Sequence, residues 1–228
     1  MTPYRTNMDR FVRFVNLMIN DVTYLLDECL TDLAKIHDLQ TEMADVEAFS
    51  RQPLQHRRER EGTLRSLERQ TTTYTQLGSS TVALLKMFTA EAKEPFMVPE
   101  IVDRLAAMLD YNLDSLVGPR CRELKVKNQE KYKFNPRALL GDILEVYLSL
   151  SDQGEFVRAV ANDGRSYKKE LFEKAGSIAT KYFLLKSEND IERLRLFVVK
   201  VEETKATIEA EDDLGDVPDE FLGELSAS

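Results

Sequence analysis

Apolar residues recur at intervals of three or four positions over most of the chain, which is the spacing of amphipathic helices. The first such stripe starts after Asp9 and reaches Ile36. It is wide enough to require burial among several helices, whereas a two-stranded coiled coil needs only a narrow seam. Pro53 interrupts the pattern, and a charged helix follows that becomes apolar only near Val82. We predict one long helix, or two abutting ones, followed by a second long helix.

The clearest helix signals lie in the middle of the chain. Pro99 suits the first turn of a helix because its missing N–H has no intrahelical acceptor, and Gly118-Pro119 should end that helix with a left-handed cap. The apolar stripe between them contains Ile101, Val102, Leu105, Met108, Leu109, Asn112, Leu113 and Leu116. Asn135-Pro136 then opens another helix. The sequence therefore predicts a helix over 99–117, a loop, and a helix from 136.

The remainder of the chain shows the same spacing, interrupted by short polar turns. Gly154 and Asn162-Asp163-Gly164 mark two of these turns, with a brief helix between them. Ser187 is placed to cap a last helix that should reach about Ala210. Because no stretch alternates strictly enough for a sheet, we predict an all-α fold, an irregular solenoid of about seven or eight helices.

The composition argues against several classes of partner and does not change the fold prediction. The chain has 228 residues, of which 43% are hydrophobic and 31% charged, as in ordinary soluble globular proteins. Its net charge of −9 opposes binding to a phosphate backbone. No apolar run is long enough for a membrane span, and the N-terminus does not resemble a signal peptide. We therefore expect no nucleic-acid partner, no membrane partner, and a location in the cytoplasm and nucleus.

Few residues have the chemistry of a catalytic or metal site. Cys29 falls on a helix stripe and Cys121 in the loop, and two isolated thiols form neither a disulfide framework nor a metal site. His37 and His56 lack ligand spacing, so we interpret them as surface or boundary residues. The stretch Leu77-Gly78-Ser79-Ser80 lacks the Gly-Lys-Ser/Thr ending of a phosphate loop. We predict no metal, no cofactor and no catalytic residue.

The segment between Gly118 and Phe134 is basic within an otherwise acidic chain. Six of its residues are our candidate partner-binding residues: Arg120, Arg122, Lys125, Lys127, Lys131 and Lys133. Tyr132 and Phe134 stand among them. One interpretation is a solvated connection that the two aromatic residues fix to the core, and the other is a recognition surface. The charge pattern leaves both open.

Longer stretches of the sequence resemble a known protein family. The stretch VPEIVDRLAAMLDYNLDSLVGPRCRELKVKNQEKYKFNPRALL resembles the core region of the ubiquitin conjugation factors of the E4 type, which extend ubiquitin chains. The resemblance continues upstream through FVRFVNLMINDVTYLLDECLTDLAKIHDLQ and downstream through LGDVPDEFL. It implies an armadillo-like core. In that family a sequence like VPDEFL leads into the U-box, whose RING-like surface recruits the ubiquitin-charged conjugating enzyme.

The resemblance also implies an organisation and a role. We expect a helical core over residues 1–208 and an acidic linker over residues 209–228. After Leu222 the chain reads GELSAS, which departs from the Asp-Pro-Leu of the family pattern. We therefore expect no U-box here and no ubiquitin transfer by this chain alone.

The predicted role is that of a monomeric scaffold in polyubiquitin chain assembly for proteasomal degradation. The resemblance implies three partners for it: a conjugating enzyme through the U-box, ubiquitylated substrates, and an AAA ATPase segregase. The alternative prediction is a helical adaptor or trafficking module whose basic loop binds acidic peptides or anionic lipid headgroups.

Overall fold

The computed structural model describes residues 3–215, and it confirms the all-α prediction with no strand in that range. Its α-helices are α1 (Pro3–Ala44), α2 (Val46–Ser50), α3 (Leu54–Glu91), α4 (Pro99–Val117), α5 (Pro136–Leu150), α6 (Gly154–Asn162), α7 (Lys169–Tyr182) and α8 (Glu188–Gly215). Three short 3-10 helices, Glu94–Phe96, Pro119–Leu124 and Gln129–Tyr132, lie in the connections. The eight α-helices within the described range agree with the predicted number.

The first predicted stripe forms a single helix, α1, which pairs with α3 in a long antiparallel hairpin. Gly78 is needed at the crossing of these helices, since a Cβ there would lie 3.2 Å from Leu26 Cδ2. Further along, Cys29 Sγ lies 3.2 Å from Thr75 Oγ1. The glycine that resembled part of a phosphate loop therefore has a packing role, because it allows α1 and α3 to approach closely.

Helix α4 begins and ends at the predicted residues, but its end differs from the expected left-handed cap. Gly118 is extended, with φ −72° and ψ −178°. A Cβ at this position would collide with the side chain and carbonyl oxygen of Asp114. The glycine is thus required for lack of space, and not for a positive φ.

The predicted capping residues of the later helices are confirmed. Asn135 Oδ1 accepts a hydrogen bond from the Ala138 backbone N–H at 3.0 Å, which caps α5. Ser187 Oγ accepts one from the Asp190 N–H at 3.3 Å at the start of α8. Helix α8 extends beyond the predicted Ala210 to Gly215, and its residues from 209 to 215 are exposed. Residues 216–228 of the predicted linker lie outside the described residues.

The helices pack in two connected rows, which gives a solenoid-like arrangement. Helix α1 contacts α3, and α3 contacts α5, while α4 contacts α6 and both α6 and α7 contact α8. Contacts of α1 with α4 and of α5 with α8 join the rows, and the buried apolar residues form one continuous core. None of the helices in residues 3–215 is both long enough and apolar enough to cross a bilayer.

Candidate partner-binding surface

The predicted recognition segment, residues 118–134, connects α4 to α5 and is called the basic loop below. It is more ordered than a simple loop, because it contains two of the 3-10 helices. Three of its apolar side chains, Val126, Tyr132 and Phe134, are buried in the common core. Burial raises the pKa of Tyr132 to about 12, with a further contribution from Glu68. The aromatic residues therefore fix the loop to the core, as one of the two interpretations expected.

Polar contacts hold the basic loop against α1. His37 Nδ1 lies 2.5 Å from the carbonyl oxygen of Lys125, and the ring nitrogen must donate because a carbonyl only accepts. Gln40 Oε1 accepts a hydrogen bond from the Lys127 backbone N–H at 2.7 Å, and its Nε2 lies 3.4 Å from the Tyr132 hydroxyl. His37 is half-buried, so it is a boundary residue with a role in positioning the loop.

The six candidate cations are all exposed, but they differ in their partners. Arg120 pairs with Glu123 at 3.2 Å within the first loop helix, and Lys131 pairs with Glu68 of α3. The other four, Arg122, Lys125, Lys127 and Lys133, have no carboxylate within ion-pair distance in the described part of the chain. They point into solvent from a backbone that is held in place. The loop thus presents four available cations on a fixed frame.

The ion pairs of α3 differ from those that spacing within the helix would favour. Glu61 and Glu68 have arginines three or four residues away in the same helix, yet no such pair occurs between residues 54 and 91. Glu68 pairs with the basic loop, as described above. Glu42 of α1 instead lies 3.5 Å from both Arg60 and His56. The ion pairs of α3 therefore join it to other elements, because α1 and the loop bring competing charges close.

A second polar region, which the sequence did not reveal, lies under the turn between α6 and α7. We call Asp110, Tyr147 and Asp163 the buried junction. The Tyr147 hydroxyl donates to Asp110 Oδ1 at 2.6 Å, and both side chains are buried. Burial raises the pKa of Asp110 well above the usual aspartate range, and the neighbouring Asp163 raises it further. Burial therefore favours the protonated form of the Asp110 carboxyl.

Aromatic rings surround this junction. The ring centroid of Tyr147 lies 4.9 Å from that of Phe172, 5.8 Å from that of Phe197 and 5.9 Å from that of Phe156. These rings come from α5, α6, α7 and α8, and Asp110 is on α4, so the junction lies where five helices meet. The only sequence signal for Asp110 is its spacing of three or four residues from Ala106 and Leu113, which are buried.

A groove of about 600 Å³ runs beside the junction, between α1, α4 and the α6–α7 turn. Asn112 lies at its buried side, where its Nδ2 donates to the Met108 carbonyl at 2.7 Å.

Within residues 3–215, no group of three or more His, Cys, Asp or Glu side chains is arranged to hold a metal ion. Burial raises the pKa of Cys29 to about 11, which leaves its thiol protonated at neutral pH.

Comparison with known proteins identifies the class to which this helical framework belongs. The ubiquitin elongating factor core family matches residues 1–202. The ubiquitin conjugation factor E4 of Schizosaccharomyces pombe is 50% identical over 222 residues, covering 97% of this chain and 22% of the relative. The E4 ubiquitin-protein ligase UFD2 of Saccharomyces cerevisiae is 44% identical over 224 residues, covering 97% and 23%. The probable ubiquitin conjugation factor E4 of Arabidopsis thaliana is 34% identical over 218 residues, covering 93% and 21%.

These matches confirm the resemblance found in the sequence. The chain belongs to the ubiquitin elongating factor core family, in which the named relatives are ubiquitin conjugation factors of the E4 type. It spans about a fifth of the length of the curated relatives that it matches. We therefore treat the activity of those whole proteins as a proposal for this chain.

Proposed function

We propose that this chain is a scaffold region of a ubiquitin chain-elongation factor. In this proposal it holds a U-box and a ubiquitylated substrate in a defined relative position while a polyubiquitin chain is extended for proteasomal degradation. The observation that carries the proposal is the family match over residues 1–202. The continuous core, which joins both rows of helices, supports it because a scaffold must be rigid.

Helix α8 is the element that we propose as the mount for the U-box. Its first half is fixed to the core through Leu194, Phe197, Val198 and Val201, which are buried. Its last residues, 209–215, form an exposed helix end, which Glu211 joins to Arg158 of α6 at 3.8 Å. A U-box that follows such a helix would be held near the core. It would order the ubiquitin thioester of a conjugating enzyme, and the scaffold would contribute proximity and orientation.

The proposed partners follow from this role. They are a ubiquitin-conjugating enzyme bound through the U-box, ubiquitylated substrates, and the AAA ATPase segregase that extracts such substrates. We propose that the chain acts as a monomer in the cytoplasm and nucleus. A tagged chain that is excluded from both compartments, or one that sediments as a stable oligomer, would contradict this part of the proposal.

The scaffold role is tested by comparing three proteins: this chain, an isolated U-box, and a fusion of the U-box after residue 222. Discharge of a charged conjugating enzyme onto free lysine measures basic transfer, and chain building on a pre-ubiquitylated substrate measures positioning. We expect background discharge from the chain alone, and longer chains from the fusion than from the isolated U-box. Robust discharge by the chain alone, or equal chain lengths from the other two, would contradict the scaffold role.

A second candidate function is favoured by the four available cations of the basic loop. It is a helical adaptor that binds acidic peptides or anionic lipid headgroups. Sedimentation with phosphatidylserine vesicles, and titration with a poly-glutamate peptide, separate these two ligands. Binding that disappears when Lys125 and Lys127 are changed to glutamate would support the adaptor. No binding to either ligand at low salt would exclude it, since screening is weakest there.

A further inference from the structure

The turn between α7 and α8 holds an aromatic residue in an unusual backbone position. Phe183 follows the last residue of α7 in the left-handed region, with φ 53° and ψ 45°. The N–H groups of Phe183 and Leu184 both donate to the carbonyl of Ala179, so this helix end combines the Phe183 bond of an αL cap with the Leu184 bond of a Schellman cap. Glycine usually occupies the left-handed position of this cap, because a side chain with a Cβ is disfavoured there.

Packing does not explain why phenylalanine stands at this position. Its side chain is 90% exposed, more than any other large apolar residue in the described part of the chain. The residue thus adds nothing to the core and is unfavourable for the backbone. A strained, exposed residue of this kind is a reason to look for a function.

The residues on either side of Phe183 are held against α5. The Arg137 guanidinium lies 3.6 Å from the ring centroid of Tyr182. Gly141, one helical turn further along the same face of α5, allows close approach of the turn, since a Cβ there would lie 3.3 Å from the Leu184 carbonyl oxygen. Tyr182 and Leu184 are therefore fixed, and the Phe183 ring is displayed between them.

Three cationic side chains lie at or beside the turn that carries Phe183. Arg137, Lys181 and Lys186 are exposed and have no carboxylate within ion-pair distance among residues 3–215. Lys181 Nζ lies 5.3 Å from the Tyr182 ring centroid, so this ring has cations at two sides. Arg137 and Lys181 thus flank the ring of Tyr182, the residue before Phe183, and Lys186 follows Phe183 by three residues, so three unpaired cations belong to this part of a chain of net charge −9.

We propose that Phe183, together with Arg137, Lys181 and Lys186, forms a docking surface for an acidic segment of a partner protein that carries an apolar residue. The carboxylates of the segment bind the three cations, and its apolar side chain packs on the Phe183 ring. Aromatic and arginine side chains commonly provide the main contacts of protein interfaces. This surface uses no residue of the basic loop and goes beyond the proposed scaffold role.

Charge favours a protein segment over an anionic membrane as the occupant. A flat bilayer would also approach Glu188 and Glu192 at the start of α8, which lie next to the turn in sequence and are exposed. The net negative charge of the chain would oppose that approach. A short acidic segment can instead contact Phe183 and the cations of this turn alone.

The proposal is tested with a fluorescein-labelled peptide in which Glu and Asp residues flank a Leu-Phe pair, measured by anisotropy. We expect the unaltered chain to bind this peptide, and to bind a Gln and Asn counterpart much more weakly. Phe183→Gly should lower affinity about tenfold or more. The same variant should keep or raise the melting temperature, because glycine suits the left-handed position. Phe14→Ala, which alters an exposed phenylalanine of α1, is the matched control and should bind normally.

Charge reversal completes the test. Lys181→Glu with Lys186→Glu should abolish binding, whereas Arg58→Glu with Arg65→Glu on α3 should leave it intact. The proposal is overturned if the unaltered chain does not bind the acidic peptide, or if Phe183→Gly binds it as tightly. It is also overturned if the neutral peptide binds equally. Binding of phosphatidylserine vesicles through Phe183 without peptide binding would assign the surface to a membrane instead.

Discussion

The buried junction and the basic loop are both polar, but the junction is buried from solvent and the charges of the loop are exposed to it. Asp110 and Tyr147 are 1% and 0% exposed, so each depends on a protein partner for its hydrogen bond. The loop cations are hydrated, and solvent and salt weaken their interactions. The junction should therefore govern the stability of the fold, while the loop should govern association with a partner and contribute little to stability.

The largest expected effect comes from removing a ring at the junction. Phe197→Ala should lower the free energy of unfolding by about 3–5 kcal/mol, because it leaves a cavity among four helices. Leu196 precedes it on α8 and is 45% exposed, so Leu196→Ala should change the stability by less than about 0.5 kcal/mol. Denaturant unfolding followed by circular dichroism measures both. Equal losses from the two variants would mean that the junction is not the stabilising region.

A smaller loss should follow from removing one hydroxyl of the junction. Tyr147→Phe keeps the ring but leaves Asp110 Oδ1 without its donor, which should cost about 1–3 kcal/mol of unfolding free energy. Tyr111→Phe is the matched control, since its hydroxyl makes only a 3.4 Å contact with Asp27 at the surface. If the two variants unfold at the same denaturant concentration, the buried hydrogen bond does not contribute.

The raised pKa of Asp110 gives the junction a pH dependence. Above the usual aspartate pKa the unfolded chain releases a proton that the folded protein keeps, so the folded state binds more protons. The contribution of Asp110 to stability therefore falls as pH rises, by about 1.4 kcal/mol per pH unit, until the raised pKa is reached. Asp110→Asn retains an acceptor for the Tyr147 hydroxyl but does not titrate, so it should remove this slope.

Unfolding free energies of both proteins, measured from mildly acidic to neutral pH, check this expectation. The difference between the two curves isolates Asp110, because every other titrating group is shared. Asp27→Asn, which changes a carboxyl at the protein surface, is the control and should leave the slope intact. A wild-type curve that runs parallel to that of Asp110→Asn would show that Asp110 is ionised in the folded state.

Local signals explain which parts of the fold could be predicted. The limits of α4, the Asn135 cap and the Ser187 cap follow from the residues at those positions, because capping depends on near neighbours in sequence. The end of α7 at Tyr182 is not signalled in this way, because the apolar spacing continues past Phe183 to Leu185. Nothing in a hydrophobic pattern indicates that a phenylalanine will adopt a left-handed conformation.

Partners that are distant in sequence explain what could not be predicted. The basic loop was recognisable from its charge, but its attachment through His37 and Gln40 depends on residues more than 80 positions away. Glu68 likewise pairs with Lys131 across 63 residues, although Arg65 lies three residues away in the same helix. The junction joins Asp110 to Tyr147 in the same manner. Such contacts appear only once the helices are packed.

The smallest effect on stability is expected in the basic loop. Changing Lys125, Lys127 and Lys133 to glutamate should alter the unfolding free energy by less than about 0.5 kcal/mol per site, since none of the three has an ion pair within the described residues. Lys131→Glu should cost more than the others, because it would place a carboxylate beside Glu68, which the loop now neutralises. The difference in unfolding free energy between Lys131→Glu and the other substitutions tests whether the ion pair between Lys131 and Glu68 stabilises the fold.

The same triple variant tests the recognition role of the loop. Its affinity for a poly-glutamate peptide should fall at low salt, where unscreened charges act most strongly, while helix content stays the same. High salt should reduce the difference between the variant and the unaltered chain, because screening weakens the attraction in one and the repulsion in the other. If the peptide binds both proteins equally at low salt, the four available cations are a solvated part of the connection. In that case the buried junction would stabilise the fold, whereas the basic loop would have no detectable role in binding.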